Sequence, residues 1–286
     1  MLTARTTKLD KLKNILHHYQ RIAIAFSGGV DSTFLLKVAQ EELKEGALGL
    51  TIQSPTVTED DLKDVKAFYQ TNAVNYSIIH LNQLDIPEFR HNPMNRCYYC
   101  KMVEFTSMEK EAKKHGIHWL AAGINCDDQG DFRPGMRALQ EIGVVSPLKE
   151  AGMTKADIRR YAKLYHLPTW NKPASSCLAS RVAYGEVITE AKLRKISDAE
   201  RVLKNLHIRK LRVRYHHGNI ARIEVAPEER HVFFNTAIMD RVAEAFRKIG
   251  FAYTTLDLQG YRRGSLNETL DEKTKSKVTP SSHVSG

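Results

Sequence analysis

Leu9, Leu12, Ile15, Leu16 and Tyr19 recur at three- and four-residue intervals, a spacing that lays one apolar stripe along a helix and leaves Lys8, Lys11 and Lys13 to its solvated face. Short apolar runs then alternate with helix-periodic stretches. Residues 22–26, 47–52, 76–81, 119–122 and 144–146 read as strands. Residues 32–42, 59–70, 100–114 and 155–165 read as helices, the last with Thr154 as its N-cap. This alternation predicts an α/β fold with a doubly wound, mostly parallel sheet, whose ligands gather at the carboxyl ends of the strands. Leu167-Pro168-Thr169-Trp170-Asn171-Lys172-Pro173 breaks the pattern and reads as a connection. Beyond it come a helix over 189–206 and a hairpin of 210–215 and 220–225 that turns at His216-His217-Gly218-Asn219. A helix over 238–249 and a strand over 251–258 complete a smaller α+β domain. The expected division is 1–172, 173–270 and a polar tail, 271–286, expected to be disordered.

The first strand runs into Ser27-Gly28-Gly29-Val30-Asp31-Ser32-Thr33, which opens the first interior helix. Paired glycines let the backbone turn tightly and approach an anion, while the N–H groups of a helix N-terminus point at it. Ser27, Ser32 and Thr33 offer hydroxyls to phosphate oxygens. Asp31 repels an anion, so it is read as a Mg²⁺ holder or as a residue that orients the loop. An ordinary glycine-rich turn would explain the two glycines but not the whole heptapeptide with both flanks. No GxxxxGK(S/T) pattern is present, so no lysine of that kind reaches a γ-phosphate. The loop resembles the SGGxDS loop of the ATP-pyrophosphatase superfamily, which holds departing pyrophosphate while a substrate atom attacks the α-phosphorus. That resemblance implies adenylation. Gly123-Ile124-Asn125-Cys126-Asp127-Asp128 follows the fourth strand and is expected at the same site, its two aspartates serving ribose or Mg²⁺ or forming a turn. Arg133, before Pro134-Gly135, is a candidate phosphate-binding loop arginine.

At 286 residues and 42% hydrophobic, the chain has the composition of a soluble globular protein. No apolar run approaches a membrane span and the opening residues show no cleavable leader, so a cytoplasmic location is expected. Forty-three Lys and Arg against 33 Asp and Glu, a net charge of +10, point to an anionic partner, either nucleic acid or a small phosphorylated molecule.

Cys97-Tyr98-Tyr99-Cys100 forms a CxxC, and Cys177 lies far downstream in Pro173-Ala174-Ser175-Ser176-Cys177-Leu178-Ala179-Ser180-Arg181. Three thiolates suit a [4Fe-4S] cluster with one iron left without a protein ligand. Zinc on three cysteines, a thiol that carries sulfur covalently and a purely structural role stay open. Cys126 reads as a small buried residue. Arg212 and Arg214 lie two apart on a strand and project from one face, as do Arg222 and Glu224 opposite. Two guanidinium groups suit a phosphate, although from spacing alone a solvated face with cross-strand charge pairs is the simpler explanation.

Taken together, SGGVDST, RCYYCK, GINCDD, DFRPGM, SPLKEAGMTKADIR, SSCLASRVAYGE, RVRYHHGNIARIE and TLDLQGYRRGSLNETL resemble the LarE-type ATP-dependent sulfur transferases of the nickel-pincer nucleotide pathway, over residues 21–270. The resemblance implies adenylation of a carboxylate of pyridinium-3,5-biscarboxylic acid mononucleotide, then replacement of AMP by sulfur to give a thiocarboxylate. It implies ATP phosphates bound by Ser27, Gly28, Gly29, Asp31, Ser32 and Thr33; Gly123, Asp128 and Arg133 are expected to complete the ATP and Mg²⁺ site by their place beside it, and Asp31 and Cys177 are expected to be catalytic. Ser180, Arg181, Arg212 and Arg214 would meet the substrate, with Glu200 in the catalytic region. In the branch that sacrifices its own cysteine, CxxC is absent and the donor precedes the equivalent of Cys177. Here that position is Ser176, while Cys97, Cys100 and Cys177 match the three-cysteine branch, which implies a [4Fe-4S] cluster. A homo-oligomer is expected. The rival readings are a tRNA thiolase with the same loop and cluster, an amide synthetase without a cluster, and a nucleotide-binding module without catalysis. No second CxxC marks a zinc ribbon, so nucleic acid is not the expected partner.

Overall fold

Each apolar run meets its neighbour in the order the alternation requires. The computed structural model describes residues 6–128, 134–173, 176–262 and 264–269. In chain order the helices are α1 (Lys8–Tyr19), α2 (Val30–Leu43), α3 (Glu59–Asn72), α4 (Pro87–Arg90), α5 (Arg96–Lys114), α6 (Pro134–Ile142), α7 (Pro147–Glu150), α8 (Lys155–Leu164), α9 (Glu190–Lys204) and α10 (Thr236–Ile249). The strands are β1 (Ile22–Ala25), β2 (Ala47–Gln53), β3 (Asn75–His80), β4 (Leu120–Ala121), β5 (Leu211–His216), β6 (Ile220–Val225) and β7 (Tyr253–Leu256). The chain divides into two compact units, Met1–Leu81 with Tyr98–Ser175 and Asn82–Cys97 with Ser176–Gly286.

In the first unit a wholly parallel sheet runs in the order β3-β2-β1-β4. Ile22 and Ile24 of β1 pack with Leu12, Leu16, Phe34, Phe68 and Ile158, which belong to α1, α2, α3 and α8. Ala23 faces the other way, with Leu48, Leu50, Phe105, Met108 and Leu139, so α5 and α6 cover the opposite face. Helix α2, which follows β1, and helix α6, which follows β4, therefore lie on opposite faces. Their loops part at the carboxyl ends of these two adjacent strands, the switch point at which doubly wound sheets bind ligands. The expected α/β fold is the fold observed.

Three expectations shift in detail. Residues 144–146 do not form a strand but a single parallel bridge, Ala121 to Val145. Pro147 has no N–H to extend the ladder and begins α7 instead. Helix α2 starts at Val30, two residues earlier than expected, because Gly29 takes the extended N-cap conformation. Helix α5 starts at Arg96, four residues early, so the whole CxxC is helical. Thr154 caps α8 as expected, in a box where its side chain and that of Asp157 each accept the other's backbone N–H.

In the second unit β5 and β6 form the expected antiparallel hairpin, from Leu211 opposite Val225 to His216 opposite Ile220, and β7 adds in parallel to β6. Gly218 and Asn219 take left-handed φ at its turn. Helix α9 packs on β5, and α10 on α9. The excursion Asn82–Cys97 is tied in by the Asn92 amide, which donates to the Ala183 carbonyl at 2.7 Å, and by Ile188 N–H to Arg90 O at 2.8 Å. Among the described residues no helix is long and apolar enough to cross a membrane. The expected tail, 271–286, lies outside the described residues.

Candidate functional site

Gly28 sits at φ +70°, where a side chain would be strained, and a Cβ there would lie 3.1 Å from Val65 Cγ2. Two residues on, α2 begins. Its first internal bond runs from Thr33 N–H to Gly29 O at 2.9 Å, so the amides of Val30, Asp31 and Ser32 precede the ladder and face outward along the helix axis. Ser32 Oγ donates to Gly29 O at 3.2 Å and accepts the Ser27 N–H at 3.3 Å, which closes Ser27–Gly29 into a small ring. Thr33 is wholly buried, and its hydroxyl meets no partner among the described residues. Gly123 lies against this turn from the β4 side. A Cβ there would stand 2.8 Å from Ser32 N and 3.1 Å from both Asp31 C and Asp31 Cβ.

The carboxylate of Asp31 meets Lys155 Nζ, at the start of α8, and lies 3.5 Å from Asn125 Nδ2. Burial pushes the Asp31 carboxyl above the usual carboxylate range; Lys155 opposes that rise and Asp128 adds to it. Two neighbouring carboxylates, one of them mostly buried, make a donor set suited to a hard divalent cation such as Mg²⁺. The loop over 123–128 is fixed by its own turn, since Asn125 N–H donates to Asp128 Oδ2 at 3.0 Å. It is also fixed from α8, because Asp127 Oδ2 accepts the Lys155 N–H at 2.8 Å. Asp127 thus serves the helix start. Arg133 lies outside the described residues. Lys155 and Asn125 are not among the expected site residues, although they stand in the motifs SPLKEAGMTKADIR and GINCDD.

In the second unit the Cys177 segment is held from beneath. Arg181, nearly buried, donates through Nε to Glu200 Oε1 at 2.9 Å and through NH1 to the carbonyls of Ser176 and Cys177. Glu200 also accepts Val213 N–H at 3.2 Å, which ties α9 to β5. Ser180 Oγ donates to Cys177 O at 2.7 Å, and its own carbonyl accepts Arg214 NH1 at 2.7 Å. Arg214 NH2 reaches Glu224 Oε2 at 3.0 Å and Ser265 Oγ at 2.8 Å. Arg212 is 9% exposed and stacks on Tyr261, 4.7 Å from the ring centre. None of its N–H groups meets an acceptor among the described residues.

Over 94% of its length the chain is 33% identical to the pyridinium-3,5-bisthiocarboxylic acid mononucleotide synthase of Lactiplantibacillus plantarum, of which it covers 96%. A family model described as NAD synthase matches residues 6–92, the stretch that carries β1, the glycine turn and α2. The chain belongs to the PP-loop ATP pyrophosphatase family. It is an enzyme of that family, whose members use ATP. An uncharacterized protein, slr1717, of Synechocystis sp. is 38% identical over 92% of this chain and 98% of its own length. Argininosuccinate synthase of Pyrococcus furiosus matches more distantly, at 27% over 53% of this chain and 40% of that protein.

Set against this PP-loop frame, the cysteines are divided. Cys97 and Cys100 stand one turn apart on α5, where residues three apart share a face. The boundary between the units passes between them, so Cys100 belongs to the first unit and Cys97 and Cys177 to the second. Cys97 and Cys177 are exposed; Cys100 is buried and its Sγ donates to Glu104 Oε1 at 3.2 Å. Among the described residues no group of three or more His, Cys, Asp or Glu side chains is gathered so as to hold a metal ion. By chemistry, three thiols fit iron as soft ligands, and two of them already share one helix face.

Proposed function

We propose that the protein is an ATP-dependent sulfur transferase that adenylates a carboxylate of pyridinium-3,5-biscarboxylic acid mononucleotide, releases pyrophosphate and replaces AMP with sulfur to form a thiocarboxylate. The observation that carries the reading is the contact of Gly123 with Asp31 and Ser32, which seats an open helix N-terminus beside two carboxylates. The identity with the L. plantarum synthase, spread over both units, supports the choice of substrate.

The chain's residues divide the work. The amides at the start of α2, with Ser27 and Ser32, receive the departing pyrophosphate, where fixed donors are most effective. Asp31 and Asp128 would hold Mg²⁺, and Lys155 opposes the rise that burial imposes on the Asp31 carboxyl and aims it. The substrate carboxylate oxygen attacks the α-phosphorus as the bond to pyrophosphate breaks. Sulfur then attacks the acyl carbon, and AMP leaves with the electron pair of the broken C–O bond. Arg212 takes the mononucleotide phosphate, and Arg181 with Glu200 fixes the backbone around Cys177. Cys97, Cys100 and Cys177 would hold a [4Fe-4S] cluster, whose iron without a protein ligand supplies a sulfide nucleophile when bound.

The test is pyrophosphate release from ATP and Mg²⁺ with anaerobically prepared protein, the products read by mass spectrometry. Release that depends on the dicarboxylate mononucleotide, with one carboxylate oxygen replaced by sulfur, is expected. Release with bulk tRNA but not with the mononucleotide would replace this reading by a tRNA thiolase.

A further inference from the structure

The sheet of the second unit carries Lys210, Arg212 and Arg214 at alternate positions, so all three project to one side. They are not equivalent. Both terminal nitrogens of Arg214 are engaged, NH1 by the Ser180 carbonyl and NH2 by Glu224 and Ser265, and the side chain is 2% exposed. Ser265 Oγ in turn donates to Glu224 Oε1 at 2.8 Å, so the carboxylate is also held. Arg214 is therefore a strut. Arg212 has no acceptor among the described residues; what fixes it is the ring of Tyr261.

We propose that Tyr261 is a positioning residue of the anion site: by stacking on Arg212 it fixes the guanidinium plane, so that Arg212, and not Arg214, grips the phosphate of the mononucleotide. The inference rests on the function proposed above for the substrate, though not for the anion. Tyr261 is itself anchored by backbone. Beyond β7, Asp257 N–H donates to Ile223 O at 2.8 Å and Tyr261 N–H to Val225 O at 2.7 Å. Between them Gly260 takes φ +78°, and a Cβ there would stand 2.6 Å from Val225 O. The turn thus brings the strap against β6 and holds the ring in place. Lys210 Nζ lies 4.8 Å from the centre of the same ring, so one aromatic face system steadies two cations. A guanidinium held by its face keeps its edge, with the N–H fork, for an oxyanion. Burial, and then the positive charges of Arg214 and Arg181, pull the Arg212 pKa down. An anion would relieve both.

Calorimetric titration of the full chain with nicotinic acid mononucleotide, and separately with inorganic phosphate, tests this. Tyr261→Phe keeps the ring and is expected to retain binding. Tyr261→Leu is expected to weaken both ligands roughly fivefold, in line with a cation–π contact of moderate strength. In an Arg212→Met background the same Leu substitution is expected to change nothing further, which a general loosening of the strap would not reproduce. Wild-type affinity in Tyr261→Leu, or an equal loss in both backgrounds, overturns the proposal. If Tyr261→Leu fails to fold, Arg212→Lys keeps the charge and loses the planar fork; unchanged affinity in that variant overturns it as well. Binding of phosphate but not of nicotinic acid mononucleotide, with the same dependence on Tyr261, upholds the positioning role, and the dicarboxylate substrate is then decided by the turnover assay above. A wild-type chain that binds neither ligand overturns the anion site itself.

Discussion

Replacing Gly123 by alanine tests the proposed ATP cradle through sterics alone. The residue does not lie in the left-handed region, so alanine adopts its backbone angles without strain. What it meets is main chain, with Ser32 N 2.8 Å and Asp31 C 3.1 Å from the new Cβ. Ordinary contacts begin near 3.4 Å, so the loop over 123–128 must retreat from α2 by about half an ångström or more. Neither neighbour is the end of a flexible side chain that could swing away. Overpacking of this kind costs about 1–3 kcal/mol. The retreat also moves Asn125 from Asp31 and separates Asp31 from Asp128, the pair assigned to Mg²⁺. A displacement approaching 1 Å in reacting geometry costs on the order of 100-fold in rate, so a loss of at least about tenfold is expected here. The assay is Mg²⁺-dependent pyrophosphate release at saturating ATP, run beside urea unfolding. An alanine variant with wild-type rate and stability would refute the close approach and the reasoning built on it.

Glu200→Ala leaves Arg181 buried without its carboxylate and Val213 N–H without its acceptor, and is expected to destabilise the second unit by about 3 kcal/mol, read from the urea midpoint. A hydrogen bond from Lys8, then bonds from Thr154, hold the Asp157 carboxyl at about 2, below its usual 3.8. Because the folded value is the lower one, its contribution to stability is complete above about pH 4 and disappears as pH falls from 3.8 through 2. Asp157→Asn should therefore narrow the stability difference between pH 5 and pH 3, and an unchanged difference would remove the ion pair from the account. Cys177→Ala is expected to abolish iron retention and sulfur transfer while ATP binding persists. Full iron content in that variant would end the three-cysteine assignment.

What the sequence determined by itself lay in short stretches. The alternation of apolar runs and amphipathic helices was enough for the parallel sheet, and Ser27–Thr33 with its flanks was enough for the turn and helix start after β1 to which the anion cradle is assigned, because strand, turn and helix N-terminus are all local. Thr154 was legible as a cap for the same reason: its partner is three residues away. The start of α5 was not, since nothing within Arg96–Tyr99 signals a helix until the chain is placed against its neighbours. Nor was the excursion Asn82–Cys97, whose attachment depends on Asn92 reaching Ala183, 91 residues on. The tertiary structure decided which charges meet. Lys155 finds Asp31 across 124 residues, and Ser265 finds Arg214 across 51. Strand period placed Arg212 and Arg214 on one face and made them look alike; only the contacts with Ser180, Glu224 and Ser265 made one a strut, while Tyr261 met the other by its face and left its N–H fork open. Spacing along the chain sets the direction of a side chain, whereas its partner is set by whatever the fold brings to the other end.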